Sequence, residues 1–291
     1  MRVWTRNGRF SGNRVSFTRE NRADFTHYSP PLSLITIAVA CLYLLNNQYL
    51  RADNTFIVAP NSAASTDSLY FNAFPFDLGA DTFEDPGQTE RYQQVYASSQ
   101  FSNVDPGGEW ITALSFRPNP SFGAAFSGTL PDIRIDLSTT RAADDGLSTT
   151  FANNVGSNDT IVYGGTNGAA LPLSSSATGP SGGPDNFDIV IQLSTPFFYN
   201  PANGNLLMDV SNYGGGLTTY FDAVDVAGDG VSRAYTVASG VNSSTADASD
   251  TLGLVTGFTF TEVPEPAAWV WLLPAIAAFG CWQRVRDTRK L

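Results

Sequence analysis

The chain has 291 residues and carries 27 acidic against 16 basic side chains, a formal net charge of −11. Its only histidine is His27, its only lysine is Lys290, and its two cysteines, Cys41 and Cys281, lie in apolar segments near the two ends. Positions 51–262 therefore cannot hold a Ser-His-Asp triad, a Cys-His pair, a Schiff-base lysine, a histidine-ligated zinc ion or a disulfide. The same region has six arginines against 23 acidic residues, a formal charge of −17 that disfavours nucleic acid and anionic lipid as partners.

The first predicted element is an apolar run from Leu32 to Leu45 that contains no charged residue. Its length is too short to span a bilayer, but it suits the hydrophobic region of a signal peptide. Six arginines and only two acidic residues precede the run, as expected for a leader. The sequence therefore predicts export, with a leader over residues 1–52 that is cleaved near Ala52. The alternative site is Ala38-Val39-Ala40 before Cys41, where cleavage would cut inside the apolar run.

Residues 53–262 are predicted to form a β-rich ectodomain. Alternating patterns with one largely apolar face cover 112–116, 133–137, 187–193 and 252–260, and 159–163 and 206–210 are interpreted as continuous buried runs. Turn sequences rich in Gly, Pro, Asn and Asp separate these segments. Only residues 89–98 favour one or two helical turns. The predicted fold class is all-β, an antiparallel β-sandwich of the jelly-roll type, between an N-terminal signal helix and a C-terminal transmembrane helix.

Carboxylates are the reactive groups that this composition leaves open in the ectodomain. Two acids facing each other across a cleft can hydrolyse a glycosidic bond. The candidates for such a pair are Asp81, Glu84, Asp85, Glu90 and Glu109. With 23 acidic residues present, some of them will lie close together by chance, so the sequence favours a protein that is not an enzyme.

A second use for acidic residues is the binding of calcium. Asp222, Asp225 and Asp229 lie beside glycines, as do Asp144 and Asp145, and they supply the hard oxygen ligands that calcium prefers. Neither group has the spacing of an EF-hand loop, and Asp and Gly form turns of this kind without a metal. The sequence therefore predicts no resident cofactor, with calcium at Asp222, Asp225 and Asp229 as the alternative.

Aromatic residues of the ectodomain allow two interpretations. Trp110 is its only tryptophan and begins a predicted strand beside Ile111. Such a ring either packs in the core or, when exposed, stacks on a sugar, and the pattern here favours the core. The run Phe197-Phe198-Tyr199 allows the same two interpretations.

The last 29 residues, 263–291, combine three features in a fixed order. Val263-Pro264-Glu265-Pro266 comes first, and the uncharged, largely apolar run from Ala267 to Trp282 follows. This run is slightly shorter than the roughly 20 residues that a straight spanning helix needs. The basic residues after it predict a cytoplasmic C-terminus by the positive-inside rule. They are Arg284, Arg286, Arg289 and Lys290.

This three-part tail resembles the PEP-CTERM sorting signal of exopolysaccharide-producing Gram-negative bacteria. The resemblance implies recognition by an exosortase, a membrane-embedded cysteine protease or transpeptidase that would cut near the motif. The expected route is export, retention in the inner membrane through the C-terminal helix, and then display at the cell surface or release from the cell. The expected function is that of a non-enzymatic structural or adhesive component of the extracellular polysaccharide matrix, with exopolysaccharide as a partner. The alternative is a secreted β-sandwich that binds carbohydrate or cleaves it with two carboxylates.

Overall fold

The structure is a computed structural model that describes residues 54–78 and 89–262. The predicted leader and the predicted sorting tail lie outside the described residues, and so do Asp81, Glu84 and Asp85. Within the two described ranges, no helix is long and apolar enough to cross a membrane.

The described residues form β-strands that are joined by turns and by short 3₁₀ helices. The strands are β1 (Asn54–Ala59), β2 (Tyr70–Asn72), β3 (Glu90–Tyr96), β4 (Glu109–Phe116), β5 (Phe126–Thr140), β6 (Thr160–Tyr163), β7 (Ala169–Ser175), β8 (Ile189–Tyr199), β9 (Asn205–Asn212), β10 (Phe221–Asp225), β11 (Val231–Tyr235), β12 (Ala248–Asp250), β13 (Leu252–Leu254) and β14 (Thr256–Thr261). The 3₁₀ helices are Asn61–Ala63, Ser98–Phe101, Phe151–Asn153 and Pro201–Asn203.

These strands build three antiparallel sheets. The four-stranded sheet has the order β1-β14-β4-β8, and the three-stranded sheet has the order β13-β10-β2. The third sheet has the order β12-β11-β3-β9-β5-β6, and β7 also pairs with β5. The prediction of an all-β fold with antiparallel pairing is confirmed for the described residues.

One principal core joins the sheets. Phe258 and Ile191 of the four-stranded sheet, Ile135 and Met208 of the largest sheet, and Phe221 of the smallest all belong to a single cluster of buried apolar side chains. Burial of this kind stabilises the fold by roughly 25 cal/mol for each Å² of apolar surface removed from water. The alternating apolar positions of β5 and β8 therefore face this core, as the sequence predicted, and 206–210 of β9 is buried throughout, as predicted for a continuous buried run.

The prediction of helical turns at 89–98 is wrong, because residues Glu90–Tyr96 form β3 between β11 and β9. Two buried glutamines interrupt the apolar alternation of this strand. The Gln93 side chain donates to Asp209 Oδ2 at 2.6 Å, and the Gln94 side chain donates to the Leu254 carbonyl at 2.9 Å. Hydrogen bonds inside the protein thus allow polar residues at positions where an apolar residue would have marked a strand.

The predicted single strand over 252–260 is divided between two sheets. β13 pairs with β10, whereas β14 lies between β1 and β4. Val255, which separates them, donates its backbone N–H to the Asp222 carbonyl at 3.0 Å. The chain therefore passes from one sheet to the next at this residue without losing a backbone hydrogen bond.

The first and last strands of the described domain pair with each other, with Asn54 opposite Thr261. Thr261 is in turn opposite Trp110, and Trp110 is opposite Phe198. We call this row of four residues the near end of the domain. The segment Arg117–Gly123, which follows β4, is called the far end. Pro118 comes eight positions after Trp110 along the chain, or roughly 27 Å at about 3.4 Å per residue.

Candidate binding surface

Trp110 lies on the outer face of the four-stranded sheet, so the prediction of a core position is wrong. Its side chain is 38% exposed, whereas Ile111 and Leu114 are fully buried. The cause is a β-bulge, because the pairing of β4 with β8 shifts register between Ile111 and Ala113. An extra residue of this kind exchanges the inner and outer faces of a strand, so the parity set by Leu114 and Phe116 does not extend back to Trp110.

Trp110 forms a cross-strand pair with Phe198. Their ring centroids are 5.4 Å apart at an interplanar angle of 65°, and Phe198 is also 38% exposed. Phe197 and Tyr199 on either side are buried, as alternation along β8 requires. Gly108 allows Phe198 to approach, because its φ of +90° favours glycine and a Cβ atom there would lie 2.6 Å from Phe198 Cζ.

At the far end, a buried ion pair holds the chain that follows β4. The Arg117 and Asp222 side chains are both fully shielded from solvent. Arg117 Nε and Nη2 lie 2.8 and 2.6 Å from Asp222 Oδ2, and Nη2 also donates to the carbonyls of Ala63 and Thr66 at 2.8 Å each. Asp222 Oδ1 accepts the Ser68 N–H at 3.2 Å. The pair therefore joins β10 to the 62–68 segment that leads into β2.

Asn119 fixes the turn beyond this ion pair. Its side-chain amide donates to the Tyr70 carbonyl at 2.9 Å, and its Oδ1 accepts the backbone N–H groups of Ser121 and Phe122 at 3.0 Å each. The Gly123 N–H closes the turn on the Asn119 carbonyl at 2.7 Å. Because Asn119 is buried, these bonds are protected from exchange with water. The turn is held in one conformation.

This turn presents Phe122 to a small group of rings that we call the far-end cluster: Phe71, Phe122 and Tyr220. The Phe71 centroid lies 4.6 Å from that of Phe122 and 4.7 Å from that of Tyr220. Phe122 is 55% exposed and Phe71 is 36% exposed. Leu69, which precedes the cluster on the chain, is 91% exposed. The far end thus displays packed aromatic rings to solvent.

The domain carries a large excess of acidic over basic residues. Four of the five arginines among the described residues are paired with an aspartate, in the pairs Arg91–Asp209, Arg117–Asp222, Arg134–Asp136 and Arg233–Asp250. Arg141 is the only other basic residue in the described ranges, so the net charge of this part of the chain remains strongly negative. A surface of this kind repels polyanions and other copies of itself.

Two candidates for a pair of catalytic carboxylates lie among the described residues, and both are buried. Glu90 belongs to β3 in the largest sheet, whereas Glu109 begins β4 in the four-stranded sheet. Glu109 Oε1 accepts the Asp105 N–H at 2.8 Å and so closes the turn that precedes β4. A surface depression of about 360 Å³ is lined by Ser127, Gly128, Thr129, Pro172, Leu173 and Ser174, so neither glutamate contributes to its wall.

The three calcium candidates take different roles. Asp222 is buried in the ion pair with Arg117, whereas Asp225, three residues further along β10, is exposed and accepts the Thr251 hydroxyl. An odd spacing on a strand places two side chains on opposite faces, so these two do not converge. Within the described ranges, no group of three or more His, Cys, Asp or Glu side chains is arranged to hold a metal ion.

Asp229 instead lies beside a contact between two turns that are rich in acidic residues. The Gly228 N–H donates to Asp145 Oδ2 at 2.7 Å, which links the 144–146 turn to the turn before β11. Burial, together with the negative charges of Asp145, Asp144 and Asp225, raises the pKa of Asp229 to about 6. The hydrogen bond that Asp229 accepts from the Val231 N–H opposes this shift.

Comparison with known proteins finds no matching family model, no matching curated protein and no matching solved structure. The far-end cluster was not predicted from the sequence, although one signal for it was present. Phe122 stands in Asn119-Pro-Ser-Phe-Gly123, and these neighbours are typical of a turn. Because turns lie at the surface, a phenylalanine inside one is expected to be exposed.

Proposed function

We propose that this chain is an exported, non-enzymatic protein that serves as a structural or adhesive component of the extracellular polysaccharide matrix. Its leader directs export, and its tail directs sorting by an exosortase. The observation that carries the proposal is the pairing of Asn54 with Thr261. It brings the two ends of the described domain, which adjoin the predicted leader and the predicted tail, side by side at the near end.

This arrangement suits a domain that is attached to a membrane at one end. Five residues, 262–266, lie between Thr261 and the start of the apolar run at Ala267, and the six steps across them reach at most about 22 Å when fully extended. Before cleavage, a tail in the inner membrane would therefore keep the near end close to the bilayer. The far end would be directed away from it and accessible to partners. After cleavage, the same end of the domain would carry the processed terminus.

The proposal includes the finer architecture. The two larger sheets share one core, which supports a β-sandwich of the jelly-roll type. The proposed partners are the exosortase, the inner membrane until cleavage, and exopolysaccharide afterwards. Localisation at the cell surface or in the medium follows from that route.

The sorting step is tested by substitutions in the motif. Glu265→Ala and Pro266→Ala should leave membrane insertion intact and abolish release, because the protease must read an extended charged segment next to the membrane. Glu262→Ala, which removes an acid just outside the motif, is the matched control and should be released normally. The measurement is the mass of the protein and its partition between membrane and medium in the native host, with and without the exosortase. Release of both motif variants at the wild-type level would refute the sorting role.

A second candidate function is carbohydrate binding, and the exposed rings of the far-end cluster favour it. Aromatic rings offer large apolar faces at a small entropic cost, which suits the apolar faces of sugars. The hydrolytic form of this alternative would require two acids to face each other across a cleft. The rings therefore favour binding over hydrolysis.

A further inference from the structure

We propose that the far-end cluster of Phe71, Phe122 and Tyr220 is the site at which the protein binds an uncharged polysaccharide chain. The inference rests on the proposed export of the domain, since only an exported domain meets such polymers. It assigns a place and a ligand class to the adhesive function.

The first argument is the cost of exposing these rings. Single exposed apolar side chains are common on folded domains, whereas a contiguous cluster of them marks a contact surface. Phe122 is more than half exposed, although the turn that carries it is fixed by a buried residue, Asn119. A buried hydrogen-bond network thus keeps the apolar ring of Phe122 exposed to solvent.

The second argument is preorganisation. Asn119 fixes the turn on one side of Phe71, and the ion pair of Arg117 with Asp222 fixes the segment that leads to Phe71 on the other. Asp222 lies directly opposite Phe71 in the pairing of β10 with β2. Rings that are already ordered lose little conformational entropy on binding, so a larger share of their contact energy appears as affinity.

The third argument, which selects the ligand, is charge. A second copy of this chain, an anionic membrane and an acidic polymer would all be repelled by a domain with a formal charge of −17 over 51–262. An uncharged polysaccharide is not repelled, and its sugar rings offer apolar C–H faces together with hydroxyls. The rings of the far-end cluster need no charge to bind such faces.

The relative tilt of the rings further restricts the kind of polysaccharide that can bind. Phe71 is tilted by 40° to Phe122 and by 62° to Tyr220, so the three rings do not form one plane. A soluble chain, whose successive sugars turn relative to each other, can follow such a surface. The flat face of a crystalline polymer cannot contact all three rings at once.

The test is affinity electrophoresis of the full-length protein in a neutral detergent, in gels containing barley β-glucan, dextran or polygalacturonate. Retardation is expected with at least one of the two uncharged polymers and not with polygalacturonate. Phe122→Ala should weaken that binding by about tenfold or more, as truncation of a central aromatic contact does. Phe122→Trp should restore it, because the aromatic face returns.

Two matched controls separate ring stacking at the cluster from general hydrophobicity and from the loss of an exposed ring elsewhere. Leu69→Ala removes a more exposed apolar side chain next to the cluster and should leave binding within about twofold of wild type, since Leu69 has no ring. Trp110→Ala removes a ring at the near end and should do the same. Absence of retardation by both uncharged polymers, equal retardation by polygalacturonate, or equal loss in Leu69→Ala and Phe122→Ala would each overturn the proposal. Release from the membrane, measured separately, reports on the sorting function alone.

Discussion

The near end and the far end of β4 both display aromatic rings, but they hold them by different means. Trp110 and Phe198 at the near end stand on paired strands, so the backbone ladder fixes their positions. Phe122 at the far end stands in a turn, beyond the backbone hydrogen bonds that join 117–119 to 220–222. There the side chains of Asn119, Arg117 and Asp222 supply the hydrogen bonds that the ladder supplies elsewhere.

The difference shows what it takes to position a ring outside a sheet. A strand orders its side chains through backbone groups that every residue carries, so almost any sequence can present a ring there. A turn needs particular buried polar residues, and each of them would be costly if left without partners. The far end should therefore be far more sensitive to single substitutions than the near end.

The largest expected effect is at the buried ion pair. Arg117→Met leaves the Asp222 carboxylate buried without its cation and should reduce the free energy of unfolding by about 3 to 5 kcal/mol. Arg117→Met combined with Asp222→Leu should recover part of that loss, because no buried charge remains. Urea denaturation of the full-length chain measures both variants. A single variant as stable as wild type would contradict the structural role of the pair.

A smaller effect is expected at Asn119. Asn119→Ala removes the acceptor of the Ser121 and Phe122 N–H groups and the donor to Tyr70, and it should cost about 1 to 3 kcal/mol. Asn119→Asp keeps the acceptor but buries a charge and turns an oxygen toward the Tyr70 carbonyl, so at neutral pH it should cost at least as much as alanine. Amide hydrogen exchange at Phe122 should accelerate in the alanine variant. Unchanged exchange there would show that the turn is held by other contacts.

The near end should respond weakly. Trp110→Ala and Phe198→Ala remove half-exposed rings from an intact ladder, and a double-mutant cycle should give a coupling of about 0.5 to 1.5 kcal/mol. Thermal unfolding of the two single variants and the double variant measures it. A coupling as large as the loss at Arg117 would erase the distinction between the two ends.

The smallest effect is the pH dependence of stability that Asp229 causes in the contact between the 144–146 turn and the turn before β11. This contact belongs to neither end of β4, so it serves as a reference for both. The pKa of Asp229 is about 6 in the folded protein against 3.8 for an ordinary aspartate, so the folded state binds this proton more tightly. Stability should therefore fall as pH rises from about 4 to above 6. Asp229→Asn should be more stable than wild type at pH 8, and the two should converge near pH 4. Burial also raises the pKa of Asp159 to about 6, so the Asp229→Asn variant should keep part of the decrease in stability with rising pH.

The sequence predicted the strands whose two faces differ in polarity. It missed those in which buried polar side chains with internal hydrogen bonds take the place of apolar ones. Apolar alternation correctly marked β5 and β8. It did not mark β3, where Gln93 and Gln94 are satisfied internally by partners that lie far away in the chain. Trp110 was assigned to the wrong face because a bulge changes the parity of β4, and pairing partners alone reveal a bulge.

The far-end cluster was beyond prediction for a related reason. Phe71, Phe122 and Tyr220 come from three separate segments that only the folded topology brings together. The turn residues around Phe122 indicated exposure, but no local pattern indicates which rings it meets. The calcium candidates failed to converge because Asp222 belongs to a strand and pairs with Arg117, a contact over 105 positions.

The placement of β14 also determines how the domain would respond to mechanical tension. Thr256–Thr261 lies between β1 and β4, with backbone pairing on both sides. A pull between the far end and the residue after Thr261 acts along the strand axis, so the hydrogen bonds on both flanks are strained simultaneously in shear. Peeling, in which bonds break one after another, would require a pull across the strands. The last strand therefore leaves the domain in the direction in which its attachment is strongest.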